Sequence, residues 1–404
     1  MRLLMAISGR RRNFALVCLF FSLISSTSPL DAFQSHGAPY GKIATVSEEF
    51  EKAANTSRAL VEAFMSARGV PGLAAAVAVD GQVVWSEGFG YANVEHRIPV
   101  TTLTKFRSGS TAKPLAAAAM AVLHERGRFE LDVPVQRYVP SFPDKGHVIT
   151  PRQLAGHQAG MRYYPPDGDE FFNTKRYTDL VDALEIFEND PLRSEPGTEY
   201  FYSSYGTNLL GAAIQGAAGK PYLTVLQELV FDPLGMLSTV GDHSDSLIAY
   251  RTGYYERSGR LPSFFQKPAS WGDGTGLGEL LNAPFADNSN KWPGGGILTT
   301  PEDLARFGLA HLKPGYLRAE TLELLFTAQR TSSGEETPYS MNWFIDRDPK
   351  GRPIYHHAGG SVGGTSFVLL YPNEEVVVAI QCNLTGAQYG DLYFQIGDAF
   401  IERN

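Results

Sequence analysis

The chain has 404 residues, of which 43% are hydrophobic and 19% charged, and it carries a formal net charge of −8. That balance suits one large globular domain or two ordinary ones and excludes a chain disordered over most of its length. The acidic surplus, with Arg10-Arg11-Arg12 as the only basic triplet, points away from a nucleic-acid partner.

The basic triplet precedes an apolar run over residues 14–24. A charged start and an apolar core of about a dozen residues read as a secretory signal peptide, too short for a span of about 20. A leader over 1–32 is therefore expected, followed by one domain over 33–404 and an exported location, periplasmic or extracellular. An uncleaved N-terminal anchor and a mitochondrial presequence are the alternative readings of the same residues. Of the two cysteines, Cys18 lies in that leader, so Cys382 is left alone and no intrachain disulfide is expected. No His/Cys grouping has metal-ligand spacing, and neither a metal nor another cofactor is expected.

Past the leader, residues 46–68 have the period of an amphipathic helix. Residues 73–79 then read as a strand, Asp80-Gly81 as a hairpin turn and 82–86 as the returning strand. Helices are predicted over 113–126, 151–157, 178–188, 204–218, 222–230 and 301–311. The span 258–292 is rich in Gly, Ser and Pro and has no clear period. Two more strands follow, over 366–371 and 375–381, with Cys382 reading as a packed thiol at the end of the second. A helix over 389–401 closes the chain. Strands at both ends and helices between them predict an α+β fold: one antiparallel sheet built from the two chain ends, flanked by helices, with a mostly helical insertion.

Ser110 and Lys113 stand at the start of the alanine-rich helix. Residues three apart share a helix face, so the lysine can sit beside the hydroxyl as its base. The unpaired N–H groups of a helix start can hold a developing oxyanion. By itself such a pair is more often a surface lysine on a helix. Tyr202, in Tyr202-Ser203-Ser204, lies at a loop-to-helix boundary, where its phenol can enter a cleft. Beside a cationic Lys113 its phenolate becomes easier to form, which suits a proton shuttle. His357-Ala358-Gly359-Gly360 places a cationisable side chain next to paired glycines, which admit close approach to the backbone. His157 reads as a residue that pins a helix end. His356 is expected to point away from His357 if the segment is a strand. No G-x-S-x-G elbow surrounds Ser110, which disfavours a Ser-His-Asp triad.

Taken in order, Ser110-x-x-Lys113, Tyr202-x-Ser204 and His357-x-Gly359 resemble the serine β-lactamase and penicillin-binding protein superfamily, in its class C-like branch. The resemblance runs over about 71–401 and implies a β-lactamase/transpeptidase-like fold. It also implies an acyl-enzyme mechanism, with Ser110 as nucleophile, Lys113 as base and Tyr202 as proton carrier. The backbone N–H groups of Ser110 and Gly360 would form the oxyanion site, and His357, Gly359 and Ser204 would contact substrate. The expected activity is that of a serine peptidase, with β-lactamase or esterase as alternatives. A further alternative is a penicillin-binding sensor or self-associating scaffold that forms oligomers or filaments without turnover. The expected partner is accordingly a peptide, ester or β-lactam. Three departures stand out. Ser204 replaces the usual Asn, His357 replaces the frequent Lys, and Thr207 stands where relatives often carry Tyr. The first two weaken the expectation of β-lactam hydrolysis.

Overall fold

A computed structural model describes residues 44–165, 170–258 and 278–402. The predicted leader and most of the irregular span 258–292 lie outside the described residues. The main sheet takes strands from both chain ends: β1 (Ala44–Val46), β2 (Gly72–Val79), β3 (Gln82–Asn93), β4 (Phe344–Arg347), β5 (Pro353–Ser361), β6 (Gly364–Tyr371) and β7 (Val376–Cys382). Their order across the sheet is β1-β3-β2-β7-β6-β5-β4, antiparallel throughout, and a two-residue strand at Ile98–Pro99 pairs off β3. The join between the two ends is the β2–β7 pair, where Ala76 faces Ala379.

Helices cover both faces. On one side, α1 (Glu51–Arg68) packs with the C-terminal helix, α5 (Leu392–Ile401). On the other side lie α2 (Ala112–Glu125), α3 (Ser204–Ala218) and α4 (Pro301–Leu309), with α4 lying directly on β2 and β7. Strand β7 shows why its sequence is a continuous apolar run. Val376, Val378, Ile380 and Cys382 enter the core under α1 and α5, while Val377 and Ala379 enter the core under the middle helices. A strand covered on both faces has no polar side to alternate with. Cys382 is free and fully buried there, as its sequence context predicted.

Local signals explain the element ends. Ser203 caps α3 by accepting from Gly206 N at 3.2 Å, and Gly219 ends it in the left-handed region at φ 65°. Thr150 and Gln153 form a capping box on the short helix Pro151–Ala155. Several expectations need correction. The segment 46–68 begins as strand β1 and a 3-10 turn, so the helix starts only at Glu51. The segment 178–188 breaks into Leu180–Ala183 and a 3-10 turn, and 222–230 becomes Tyr222–Leu226 followed by a π turn. Strand β3 runs to Asn93, seven residues past its predicted end. Strand β4 is absent from the predicted strands, and β5 enters the sequence reading only as a condition on the orientation of His356. Pro353 and the paired glycines of β5 carry low strand propensity, and its place is set by pairing with β6 over seven residues.

Candidate active site

The approach to Ser110 is built by a strand and a tight turn. Phe106–Arg107 pairs with Ile297–Thr299, and Ser108 N donates to Ile297 O at 2.9 Å. The buried Arg107 guanidinium fixes this entry. It donates to Asp242 Oδ2 at 2.8 Å, to Val362 O at 2.8 Å and to Ala286 O at 3.1 Å, and lies over the Tyr254 ring. Gly109 then turns with φ 49°, and a β-carbon there would lie 2.6 Å from Gly360 O. Only glycine meets both conditions. Ser110 falls in a 3-10 turn over Gly109–Thr111 that runs directly into α2, so Lys113 occupies the first turn of the helix proper.

Lys113 has no solvent exposure, and its Nζ has three partners: Ser110 Oγ at 3.0 Å, Ser204 Oγ at 3.1 Å and Gly294 O at 2.8 Å. Nζ is placed to donate to all three oxygens, and once it has lost a proton its lone pair can accept from the Ser110 hydroxyl. Burial is the main cause that pushes the lysine well below its ordinary pKa, and the nearby Lys291 charge adds to it.

The structure brings Tyr202 to the same point, with Lys113 Nζ 5.0 Å from its ring centroid. The expected route to a phenolate needs correction. Burial raises the Tyr202 phenol well above its usual value, and Tyr163 adds to the rise, while the adjacent Ser110 hydroxyl works the other way. The phenol is therefore neutral, and the lysine is the group whose environment favours the base form. His157 does not merely close its own helix. Its Nδ1 accepts from Ser203 N at 3.2 Å, its carbonyl accepts from Phe201 N at 2.8 Å, and its ring packs 4.3 Å from that of Tyr202. It holds the tyrosine segment in place.

His357 lies on β5, buried, with its two nitrogens both engaged. Nδ1 lies 2.7 Å from Ala358 O and Nε2 lies 2.8 Å from Tyr339 Oη. A carbonyl only accepts, so Nδ1 carries the proton and the Tyr339 hydroxyl donates to Nε2. Burial is the main cause that pushes this imidazole well below its ordinary pKa, and a proton on Lys113 would add to it. The sequence marks His357 as a cationisable side chain; burial favours its neutral form, and both of its nitrogens are already engaged. His356 does face the other way, between Phe344 and Phe367.

Gly359 lines the cleft, and a β-carbon there would lie 2.1 Å from Ser108 O and 2.2 Å from Ser366 Oγ, so its missing side chain makes room for the protein's own backbone. Gly360, one residue on, lines the cleft with Ser110, Tyr202 and His357. The pairing of β4 ends at Phe344 opposite His356, so β5 from His357 onward is paired with β6 alone and shows its other edge to the cleft. The cleft has a volume of about 800 Å³.

Sequence reasoning missed Gly294, Tyr339 and Lys291. The run Gly294-Gly295-Gly296 was a signal of close packing, but nothing in it marks the carbonyl that receives the lysine. Lys291 is a second buried lysine, donating to Phe171 O at 2.8 Å. Its own carbonyl accepts from Gly295 N and Gly296 N at 2.8 and 2.9 Å, which fixes the turn carrying Gly294.

Comparison with known proteins identifies the family. The beta-lactamase family model matches residues 58–396. The chain belongs to the beta-lactamase family. It is 29% identical to the serine beta-lactamase-like protein LACTB, mitochondrial, of Mus musculus, over 87% of this chain and 80% of that protein. Among solved structures, it superposes on EstCE1, a hydrolase with promiscuous acyltransferase activity, with a TM-score of 0.69 and 21% identity, covering 88% of this chain and all of the other. An octameric penicillin-binding protein homologue from Pyrococcus abyssi gives a TM-score of 0.68 and 22% identity, over 87% and 78% of the two chains. These likenesses confirm the expected β-lactamase/transpeptidase-like fold, and the family is one of serine hydrolases.

Proposed function

We propose that this protein is a serine hydrolase that cleaves amide or ester bonds through an acyl-enzyme, and that its natural substrate is a peptide. The observation that carries the reading is the contact of 3.0 Å between Lys113 Nζ and Ser110 Oγ, made by a lysine with no exposure to water. In this mechanism the neutral Lys113 takes the Ser110 proton as Oγ attacks the carbonyl carbon. The backbone N–H groups of Ser110 and Gly360 hold the resulting oxyanion, an interaction whose loss costs about 100- to 1,000-fold per donor. Tyr202, neutral and next to both groups, relays that proton from the lysine to the leaving nitrogen or oxygen. Water then attacks the acyl carbon, and the Ser110 hydroxyl is restored. The exposed edge of β5 supports the peptide reading, because an extended segment can add to it as a further strand.

A fluorophosphonate probe tests the assignment. Wild-type protein is labelled and Ser110→Ala is not; equal labelling of both removes Ser110 from the mechanism. Turnover of quenched peptides beyond one equivalent separates a peptidase from a sensor that stops at the acyl-enzyme. Nitrocefin and p-nitrophenyl esters in the same series report the β-lactamase and esterase alternatives.

A further inference from the structure

Five aromatic rings stand nearly parallel in a row that begins at the catalytic tyrosine. From Tyr202 to Phe344, His356, Phe367 and Tyr393, successive centroids are 6.3, 5.3, 5.5 and 3.8 Å apart, and the interplanar angles are 15°, 12°, 10° and 5°. The row draws one ring each from the loop before α3, from β4, β5 and β6, and from α5. Tyr202, Phe344, Phe367 and Tyr393 line the same cleft as Ser110. We propose that this row is a substrate subsite for an aromatic or extended apolar group next to the scissile bond, and that the site selects uncharged substrates by offering a carboxylate no partner.

The proposal rests on the acyl-enzyme reading above and adds the substrate class. Phe344, His356 and Phe367 each have both faces covered by neighbours in the row, so what the inner rings offer the cleft is their edges, which pack edge-to-face on other rings and bury alkyl chains. A cleft of about 800 Å³ accommodates a peptide segment or a large acyl group. Rejection of charge follows from the polar groups. His357 spends both nitrogens on Ala358 and Tyr339. Lys113 is enclosed by three partners. Among the described residues that line the cleft there is no lysine or arginine. A carboxylate entering here gives up its water without gaining an opposite charge.

Two ester series test this. One varies the acyl group over a constant p-nitrophenol, and the other varies the alcohol over a constant acetyl group. Each carries a methyl, a 2-phenylethyl or a 2-carboxyethyl end. In at least one series the phenyl ester is expected to exceed the methyl ester by about 3- to 10-fold in kcat/KM. The carboxylate ester should fall at least about 10-fold below the methyl ester in both. Tyr393→Ala lowers the phenyl preference, and Tyr393→Leu, which keeps bulk without a ring, restores only part of it. Carboxylate esters turned over as fast as neutral ones, or a phenyl preference unchanged in both Tyr393 variants, would overturn the proposal. Fluorophosphonate labelling of the same preparations separates the failures: unlabelled wild type sinks the acyl-enzyme reading, whereas labelled wild type without the preference sinks only the subsite.

Discussion

Gly359 passes so close to Ser108 that a β-carbon added at 359 would lie 2.1 Å from the Ser108 carbonyl oxygen and 3.0 Å from Ser110 N. Strand β5 and the turn bearing Ser110 are thus fitted against each other through backbone, and the third motif supports the first. Gly359→Ala is expected to push them apart, at a cost of about 1–3 kcal/mol in stability as for other overpacked cores. Activity should fall further than stability implies, by about 100-fold, because the shift lands on the turn that aims Oγ. Urea unfolding and kcat/KM on one preparation check this; a variant with wild-type values of both would show that the contact relaxes freely.

Lys113→Met removes the amine and keeps an unbranched side chain of similar length in a fully buried slot. The fold is expected to survive, with Gly294 O and the Ser204 hydroxyl losing a donor. Acylation by a fluorophosphonate should slow by about 100- to 10,000-fold, the range for loss of a positioned base. Stopped labelling at timed intervals measures the rate. An unchanged rate would make the lysine a packing residue and leave Ser110 without its base.

Lys291 links charge in the core to pH. Burial, reinforced by Arg107, brings this lysine down to about 7. Between pH 7 and the ordinary lysine value of about 10.4 the unfolded chain holds a proton that the folded chain does not. Stability from this group therefore rises with pH across that window, and Lys291→Met should flatten the rise. The same charge is the second cause of the lowered Lys113 value. Removing it lets Lys113 climb, so the acid limb of the kcat/KM profile should move to higher pH. A profile from pH 5 to 10 reads the shift; movement to lower pH would contradict the coupling.

Much of this arrangement was legible in sequence because it rests on local chemistry. The i, i+3 spacing put Ser110 and Lys113 on one helix face, and the capping residues around 204–218 gave α3 its observed bounds. What failed depends on neighbours distant in the chain. Strand β5 is a strand because β6 pairs with it, against its own propensity. The neutrality of His357 comes first from burial that no local pattern records, and its Nε2 is engaged by Tyr339, eighteen positions away. The room at Gly359 looks the same in sequence whether a ligand or Ser108 fills it.

The His357–Tyr339 hydrogen bond offers a separable test of positioning. Tyr339 is fully buried, and its ring packs near those of His157 and Tyr202. Tyr339→Phe keeps the ring and removes the donor to Nε2, at about 0.5–1.5 kcal/mol in stability. The freed Nε2 can then take a proton, so the histidine should titrate at a higher pH than in wild type. The matching signature is a substrate effect: esters with a carboxylate end should improve relative to neutral ones below that pH. Proton NMR of the imidazole follows the titration, and an unchanged value would remove the Tyr339 hydrogen bond from the causes of its low pKa, leaving burial and Lys113.

An ion pair lies behind the turn that carries Ser110. Arg107 and Asp242 are both buried, and the guanidinium also holds Val362 O and Ala286 O. Removing Arg107 leaves Asp242 with the longer Arg251 contact at 3.8 Å and the Asn288 amide at 2.7 Å, so Arg107→Met should cost about 3 kcal/mol, the low end for a broken buried pair. The double variant Arg107→Met/Asp242→Leu removes both charges and should recover part of that loss, while the two carbonyls still lack their donor. If the double variant is no more stable than the single one, the carbonyl contacts, not the ion pair, carry the stability. Activity distinguishes the roles further. Arg107 ties the strand before Ser108 to the turn after β5, where Val362 lies, so even a refolded double variant should show a reduced kcat, since both walls of the oxyanion site lose their common anchor.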